Sequence, residues 1–289
     1  MPDRSKPLAE WVLASGAPGP GDLPVFPSVA VRLVDLLEHP GAEVAEAASL
    51  LSQDQGITAQ VLRAANSILY SGAMPVTSVA SAVMRLGFRE SANVAMAAAC
   101  RSLYDMEDRA ELEIFPEVWN AIWQQSLLAA YGGRLVAREL QAGEPEHVFL
   151  GALLRNVGSL LVLKLVARGR VRGTLRMEPS QAELAAVVGS LRARVGVGYL
   201  KSCGLPDHVL AAAADGEDLA VPAALDPGSL HVLRLVEGLT NVLHVAPFAT
   251  GELGPVAEAS AALFELGAER LDYLVLQLQG LMEQVRELL

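Results

Sequence analysis

The sequence predicts an all-α protein, and three observations carry that prediction. Ala, Leu and Val dominate a chain that is 52% hydrophobic but only 5% aromatic, which favours packed helices over sheets. Apolar residues recur at three- and four-residue spacing, and no strand-length alternation bounded by turn residues appears. The longest apolar run, Val148–Val166, reads as a single helix that is hydrophobic nearly all round and therefore buried.

That run is interrupted by one adjacent polar pair, Arg155-Asn156. Its length would suffice to span a bilayer. A central Arg, however, costs roughly 2.5–3.5 kcal/mol on insertion scales, and Lys164 adds to the cost. The run is therefore expected in the core of a helical domain, without membrane insertion. Buried Arg and Asn side chains need partners, so the pair is either a structural polar cluster or the floor of a site.

The other elements follow from local signals. Pro7–Ala14, with Trp11, is a short helical pattern expected to cap the domain, followed by a flexible Gly/Pro tether at Gly16–Gly21. Ser28 is a candidate N-cap for a helix carrying Val31, Leu33, Val34 and Leu37, and His39-Pro40-Gly41 stops it. Val44–Leu51 is a second helix. Asp54 and Thr58 can cap a third, which runs to Asn66-Ser67. Ser78 opens another, ended by Gly87, and Glu90–Tyr104 follows. Phe115–Leu140 forms one long helix with Trp119, Trp123, Leu127, Leu128 and Tyr131 on its apolar side. After the turn Gly143-Glu144-Pro145 comes the apolar run. Ser180 and Glu183 form a capping box that opens a helix toward Leu200. Gly204-Leu205-Pro206 turns into another helix, Gly216–Pro227 reads as an acidic loop, and a helix over about Ser229–Val245 precedes a loop at Pro247–Gly254. The last helix, from about Glu269, places Leu271, Leu274, Val275, Leu278, Met282 and Val285 on one face. This stripe is expected to dock onto its own domain; the alternative is a partner-docking helix or a homodimer seam.

Charge and motif content exclude several function classes. The net charge of −11 opposes a phosphate backbone, so nucleic acid is not an expected partner. The basic group Arg168, Arg170, Arg172 and Arg176 sits in a Gly-containing connection and reads as a solvated loop. Two cysteines, Cys100 and Cys203, are too few for a disulfide framework or a zinc site. No phosphate-cradling GK[ST] loop, HExxH, GxSxG or CxxC occurs. Met1–Lys6 has no adjacent apolar segment of signal-peptide type, so the cytoplasm is the expected compartment.

Several ordered motifs carry a resemblance. Leu23-Pro24-x-x-Pro27, then Asp54-x-x-x-Thr58-x-x-x-Leu62-x-x-x-Asn66-Ser67-x-x-Tyr70, then Ala82-x-x-x-Leu86-Gly87, are similar to the N-terminal half of the HDOD domain. Trp123-x-x-Ser126, Gly151-x-Leu153-Leu154-x-x-x-Gly158 and Gly204-Leu205-Pro206 continue the pattern, which covers roughly residues 22–220. The resemblance implies a two-lobed all-helical domain, an N-terminal bundle (about 23–110) packed on a degenerate HD-like bundle (about 111–220). Residues 1–22 then form an extension, and 221–289 supply further helices that complete or pack on the HD-like lobe. Asn66, Ser67, Tyr70, Gly87 and Gly158 are its structural motif positions.

The related HD-domain phosphohydrolases bind divalent metal through His and an adjacent His-Asp pair. In this sequence Gln125 stands at the first His position, Arg155-Asn156 at the His-Asp pair, Arg192 near the next His, and Gly216-Glu217 where a His-His pair often lies. None of the five histidines occupies a ligand position. The resemblance thus implies no catalytic residues, no metal and no cofactor. The function expected is a bacterial, non-catalytic signal-transduction or scaffold protein acting through protein–protein contact. Arg155 and Asn156 would then fill the relic cavity, with Arg155 paired to a carboxylate such as Glu217 or to helix C-terminal carbonyls. The alternative is a pseudoenzyme in which Arg155, Asn156 and Arg192 grip a nucleotide or cyclic dinucleotide. An active metal-dependent phosphohydrolase is a third class that Arg155 disfavours.

Overall fold

The computed structural model describes residues 5–14, 25–39, 44–67, 70, 72, 74–104, 108–215 and 225–288, and among them every regular element is a helix. The chain divides into two compact units. One comprises residues 25–105 and 280–289; the other comprises residues 1–24 and 106–279. The expected lobe boundary near residue 110 therefore falls at 105/106, and the N-terminal extension belongs to the second, larger unit.

In the smaller unit, α2 (Ser28–Glu38), α3 (Val44–Leu51), α4 (Gln55–Ala65) and α5 (Val79–Leu86) pack on α6 (Phe88–Arg101). The run Ser91–Ala97 within α6 is buried throughout, so α6 serves as the hub. Ser91 and the alanines Ala92, Ala95 and Ala97 keep much of this surface small, which lets neighbouring helices approach closely. Local signals set the boundaries. Asp54 Oδ1 accepts the Ile57 amide at 2.9 Å and starts α4, while Thr58 Oγ1 donates to the Leu51 carbonyl at 2.9 Å. Ser78 Oγ accepts the Ser81 amide and starts α5. Gly87, at φ +84°, separates α5 from α6 with a backbone that L side chains rarely adopt. Ser28 is not an N-cap; Pro27 holds that place without a side-chain cap, and Ser28 is the first helical residue.

Asn66 and Ser67 act as a tie. Asn66 Nδ2 donates to the Leu62 and Val76 carbonyls at 2.9 and 2.8 Å, and Asn66 Oδ1 accepts the Val76 amide at 2.8 Å. Ser67 Oγ donates to the Ala64 carbonyl at 2.8 Å. These bonds close the C-terminus of α4 and hold the connection to α5 against it. Tyr70 donates its hydroxyl proton to Glu90 at 2.7 Å, linking that connection to the first turn of α6.

The larger unit contains α1 (Ser5–Ala14), α7 (Arg109–Ile114), α8 (Pro116–Leu140), α9 (Pro145–Arg155), α10 (Val157–Val171), α11 (Gln181–Ser202), α12 (Asp207–Ala214), α13 (Pro227–Val242) and α14 (Pro255–Leu263). The last helix, α15 (Ala268–Leu288), belongs to this unit up to Gln279. Helix α9 lies against α8, α12 and α13, and α10 lies against α11. The capping box at Ser180/Glu183 is present and starts α11. The α1 helix buries Leu8 and Val12, and Trp11 covers Gly169, where any Cβ would collide with the indole. Trp11 thus caps this unit, as its sequence suggests.

One expectation is corrected here. Val148–Val166 is not one helix: α9 ends at Arg155, and Asn156, at φ −85° and ψ 2°, joins it to α10. The sequence between Pro145 and Val171 is apolar enough to cross a membrane, yet 89% of its most apolar window is buried inside the protein, which makes it core. The stripe on α15 is largely covered, in line with the expected docking onto its own domain. Leu274, Leu278 and Val285 are buried and Leu271, Val275 and Met282 half-buried, with Leu278 packed over Gly132 of α8. Helix α14 (Pro255–Leu263) fills the stretch between the Pro247–Gly254 loop and the last helix, for which no element is expected from the sequence. The Gly16–Gly21 tether, Pro40-Gly41 and Glu217 lie outside the described residues.

The imidazoles of His147 and His208 stack in the larger unit, with centroids 4.1 Å apart. Burial, together with the His147 charge, pushes the His208 pKa down from 6.5 to about 4. The unfolded chain therefore binds a proton at this site before the folded one does. Stability is unaffected above pH 6.5 and falls as pH drops from 6.5 toward 4. Urea midpoints measured across that range should decline, and His208→Gln should flatten the decline.

Candidate functional site

The larger unit holds an open cleft of about 380 Å³, and the chemistry of its walls derives from where five helices end or cross. Arg155 is the last residue of α9 and points into the cleft wall with only 5% exposure. Asp215 directly follows α12. Arg234 and Glu237 are three residues apart on α13, which places them on one face. Arg192 comes from the middle of α11 and Gln125 from α8. Asn241 and the apolar residues Ala246, Leu253, Pro255 and Val256 complete the lining.

The charged groups form one network. Arg155 Nη2 donates to Asp215 Oδ2 at 3.1 Å and lies 2.6 Å from Glu237 Oε2. Arg234 grips the same Asp215 through Nε at 3.0 and 3.1 Å and through Nη2 at 2.6 Å. Arg192 Nη2 sits 3.8 Å from Glu237 Oε1. Gln125 Nε2 donates to Thr240 Oγ1 at 3.4 Å and so ties α8 to α13 beside the network. Burial alone would raise the Asp215 pKa. The hydrogen bonds from Arg234 and the charges of Arg155 and Arg234 outweigh it and hold the carboxyl below its ordinary value. The same bonds, accepted by Asp215, hold the Arg234 guanidinium above its ordinary value. Asp215 is therefore ionised and fully engaged near neutral pH.

Three of the positions singled out in the sequence, Gln125, Arg155 and Arg192, meet in this cleft. Asn156 is buried at the helix joint, where its carbonyl accepts the Leu160 amide at 3.1 Å and starts α10. Asp215 and Glu237, and not a helix terminus, receive the Arg155 guanidinium. Sequence reasoning missed Asp215, Arg234 and Glu237. The available signals were an Asp immediately before Gly216-Glu217 and an Arg-x-x-Glu pair inside the otherwise apolar segment at 229–245.

A divalent ion bound in the HD manner needs imidazole and carboxylate donors. The described residues lining this cleft include neither His nor Cys. Both carboxylates are committed to guanidiniums. Arg155 places a permanent cation, with no lone pair to offer, among them. This donor set does not fit a divalent metal.

The HDOD domain model matches residues 23–218. No curated protein matches the chain. Solved structures that share its fold include the following three. One is a protein from Shewanella amazonensis SB2B, provisionally named a metal-dependent phosphohydrolase; it is 22% identical at a TM-score of 0.66, and the match covers 98% of this chain and 97% of that one. Another is an HDOD domain protein of unknown function from Geobacter sulfurreducens, 20% identical at a TM-score of 0.66, covering 96% and 97%. The third, from Marinobacter aquaeolei VT8, is provisionally named a signal transduction protein; it is 22% identical at a TM-score of 0.66, covering 99% of this chain and 66% of that one.

Proposed function

Because this chain belongs to the HDOD domain family, we propose that it is a non-catalytic signal-transduction or scaffold protein of the bacterial cytoplasm, acting through protein–protein contact on its helical platform. One observation carries the reading. Arg155, at the sequence position where the family pattern would put the metal-binding His-Asp pair, has its guanidinium bonded to Asp215 and Glu237. Metal-assisted hydrolysis needs a cation that accepts ligands and activates water; a guanidinium does neither. Protein contact is further favoured by apolar side chains left exposed on two helices of the larger unit, Val256 and Leu263 on α14 and Leu276 on α15. The name carried by the Marinobacter protein points the same way.

The test is direct. Protein purified without chelators is assayed for bound Mn, Fe and Zn and for phosphodiesterase activity on cyclic dinucleotides. The expected results are substoichiometric metal and no turnover above buffer. Stoichiometric metal, or turnover abolished by Arg155→Ala, would overturn the reading. Crosslinking in cells, with Val256→Asp and Leu276→Asp as comparison variants, then tests the contact surface; a partner profile unchanged by both substitutions removes that face from the proposal.

A further inference from the structure

We infer that the outer face of α14 docks an amphipathic helix of a partner protein, one whose apolar side is flanked by Lys or Arg. This rests on the protein-contact reading and names the chemistry of the partner.

Helix α14, Pro255–Leu263, contains a single charged residue, Glu258. Its inner face is already used. Ala257, Ser260 and Ala261 are buried, and the helix packs on α13, with Ala257 against Gly238. The helical period turns Val256, Ala259 and Leu263 outward. All three are exposed, Val256 at 57% and Leu263 at 63%, and Pro255 and Ala262 extend the same face. A helix that is apolar all round is ordinarily covered all round. One that keeps Val and Leu outermost marks a contact site. The alanines keep the middle of the face low, so a second helix can approach closely between Val256 and Leu263.

The charge around this face selects the occupant. From Leu235 to Glu269 the chain carries five Glu and no Lys or Arg. Glu252, Glu258, Glu265 and Glu269 are exposed. The arginines of the cleft that Val256 also lines, Arg155, Arg192 and Arg234, are only 5%, 20% and 27% exposed at their side chains and stand in ion pairs with Asp215 and Glu237. A second copy of this chain would bring the same acidic rim against itself, like charge on like. Lys or Arg beside a partner's apolar stripe would instead be complementary to it.

The probe is a labelled synthetic peptide about five helical turns long, with Leu on one face and Lys on the other, titrated with the full-length protein and read by fluorescence anisotropy. Binding is expected with Kd below about 100 μM, and a matched peptide with Glu in place of Lys should bind far more weakly. Leu263→Asp separates docking from mere attraction of a cation to an acidic chain. It adds a negative charge, so attraction alone would be unchanged or stronger. Docking predicts binding weaker by at least about tenfold, the value of burying one Leu side chain. Replacing Glu258 and Glu265 together by Lys should weaken binding several-fold. Met84→Asp, at a side chain 76% exposed on α5, should change nothing. These side chains are exposed, so the melting temperatures should stay near that of the wild type. No binding of the Lys peptide, equal binding of the Glu peptide, or equal binding by Leu263→Asp overturns the proposal. So does a dimer in sedimentation that Leu263→Asp dissociates, which would assign the face to a second copy. The protein-contact reading is decided separately, by whether the crosslinked profile in cells changes with Val256→Asp and Leu276→Asp.

Discussion

Replacing Arg155 with Ala should destabilise the protein by about 3 kcal/mol, the cost of removing one partner from a buried ion pair. The structure explains why the loss is large. Asp215, only 4% exposed at its side chain, keeps Arg234 but loses a second cation, and Glu237 loses a contact at 2.6 Å. The methylene stem of Arg155 also leaves a void at the end of α9. Arg155→Lys should cost less, since one ammonium keeps the charge but cannot reproduce the fork. By contrast, Arg109→Ala should change stability by less than about 0.5 kcal/mol, because its partner Glu113 and Arg109 itself are 67% and 90% exposed. Urea denaturation decides the matter: the midpoint should shift with the slope unchanged.

The same variant has a pH signature. Asp215 holds its proton less tightly in the folded state than the ordinary 3.8. As pH falls below about 4, the unfolded chain is protonated first. The stabilisation is therefore present above that pH and is lost as pH drops through the folded value. Arg155→Ala removes one cause of the depression, so the acid limb of its stability curve should be shallower than that of the wild type. An unchanged acid limb would mean that Arg234 alone sets the ionisation of Asp215.

What could be read in the sequence follows a physical division. Asp54, Ser78 and the Ser180/Glu183 box were legible because capping is decided within three residues of the helix start. The Asn66-Ser67 tie was legible for the same reason, through bonds to Leu62 and Ala64, although its reach to Val76 was not. The break at Asn156 was hidden. The polar pair Arg155-Asn156 marks the place in the apolar run, but neither residue forces a helix to end there; packing on both sides of the joint selects it. The ion network was half legible. Gln125, Arg155 and Arg192 were found by position within the family pattern, whereas Asp215, Arg234 and Glu237 reach the cleft only through the packing of α12 and α13 against α9. Likewise the α15 stripe was visible as apolar, but periodicity does not say what covers it. Gly132, lying beneath Leu278, does.

Gly158 is where the family pattern, the packing and the cleft meet. Substituting it with Val should destabilise the protein by about 3 kcal/mol or more, at the upper end for overpacking. A Cβ at this position would lie 1.8 Å from the carbonyl oxygen of Arg192 and 2.9 Å from the amide nitrogen of Gly196. Both are backbone atoms of α11, so no side-chain rotation can relieve the clash. Helix α10 must instead move away from α11 along the line where Gly158 faces Gly196. Even Ala meets the same atoms and should behave almost as badly, a reversal of the usual Gly-to-Ala gain inside a helix. Because the obstructed atom belongs to Arg192, whatever fold survives should carry that guanidinium displaced from Glu237. Gly158→Ala is therefore expected to show a lowered urea midpoint. Gly189→Ala, on α11 with nothing within 4 Å of its Cβ position, should instead stabilise slightly at its exposed helical site.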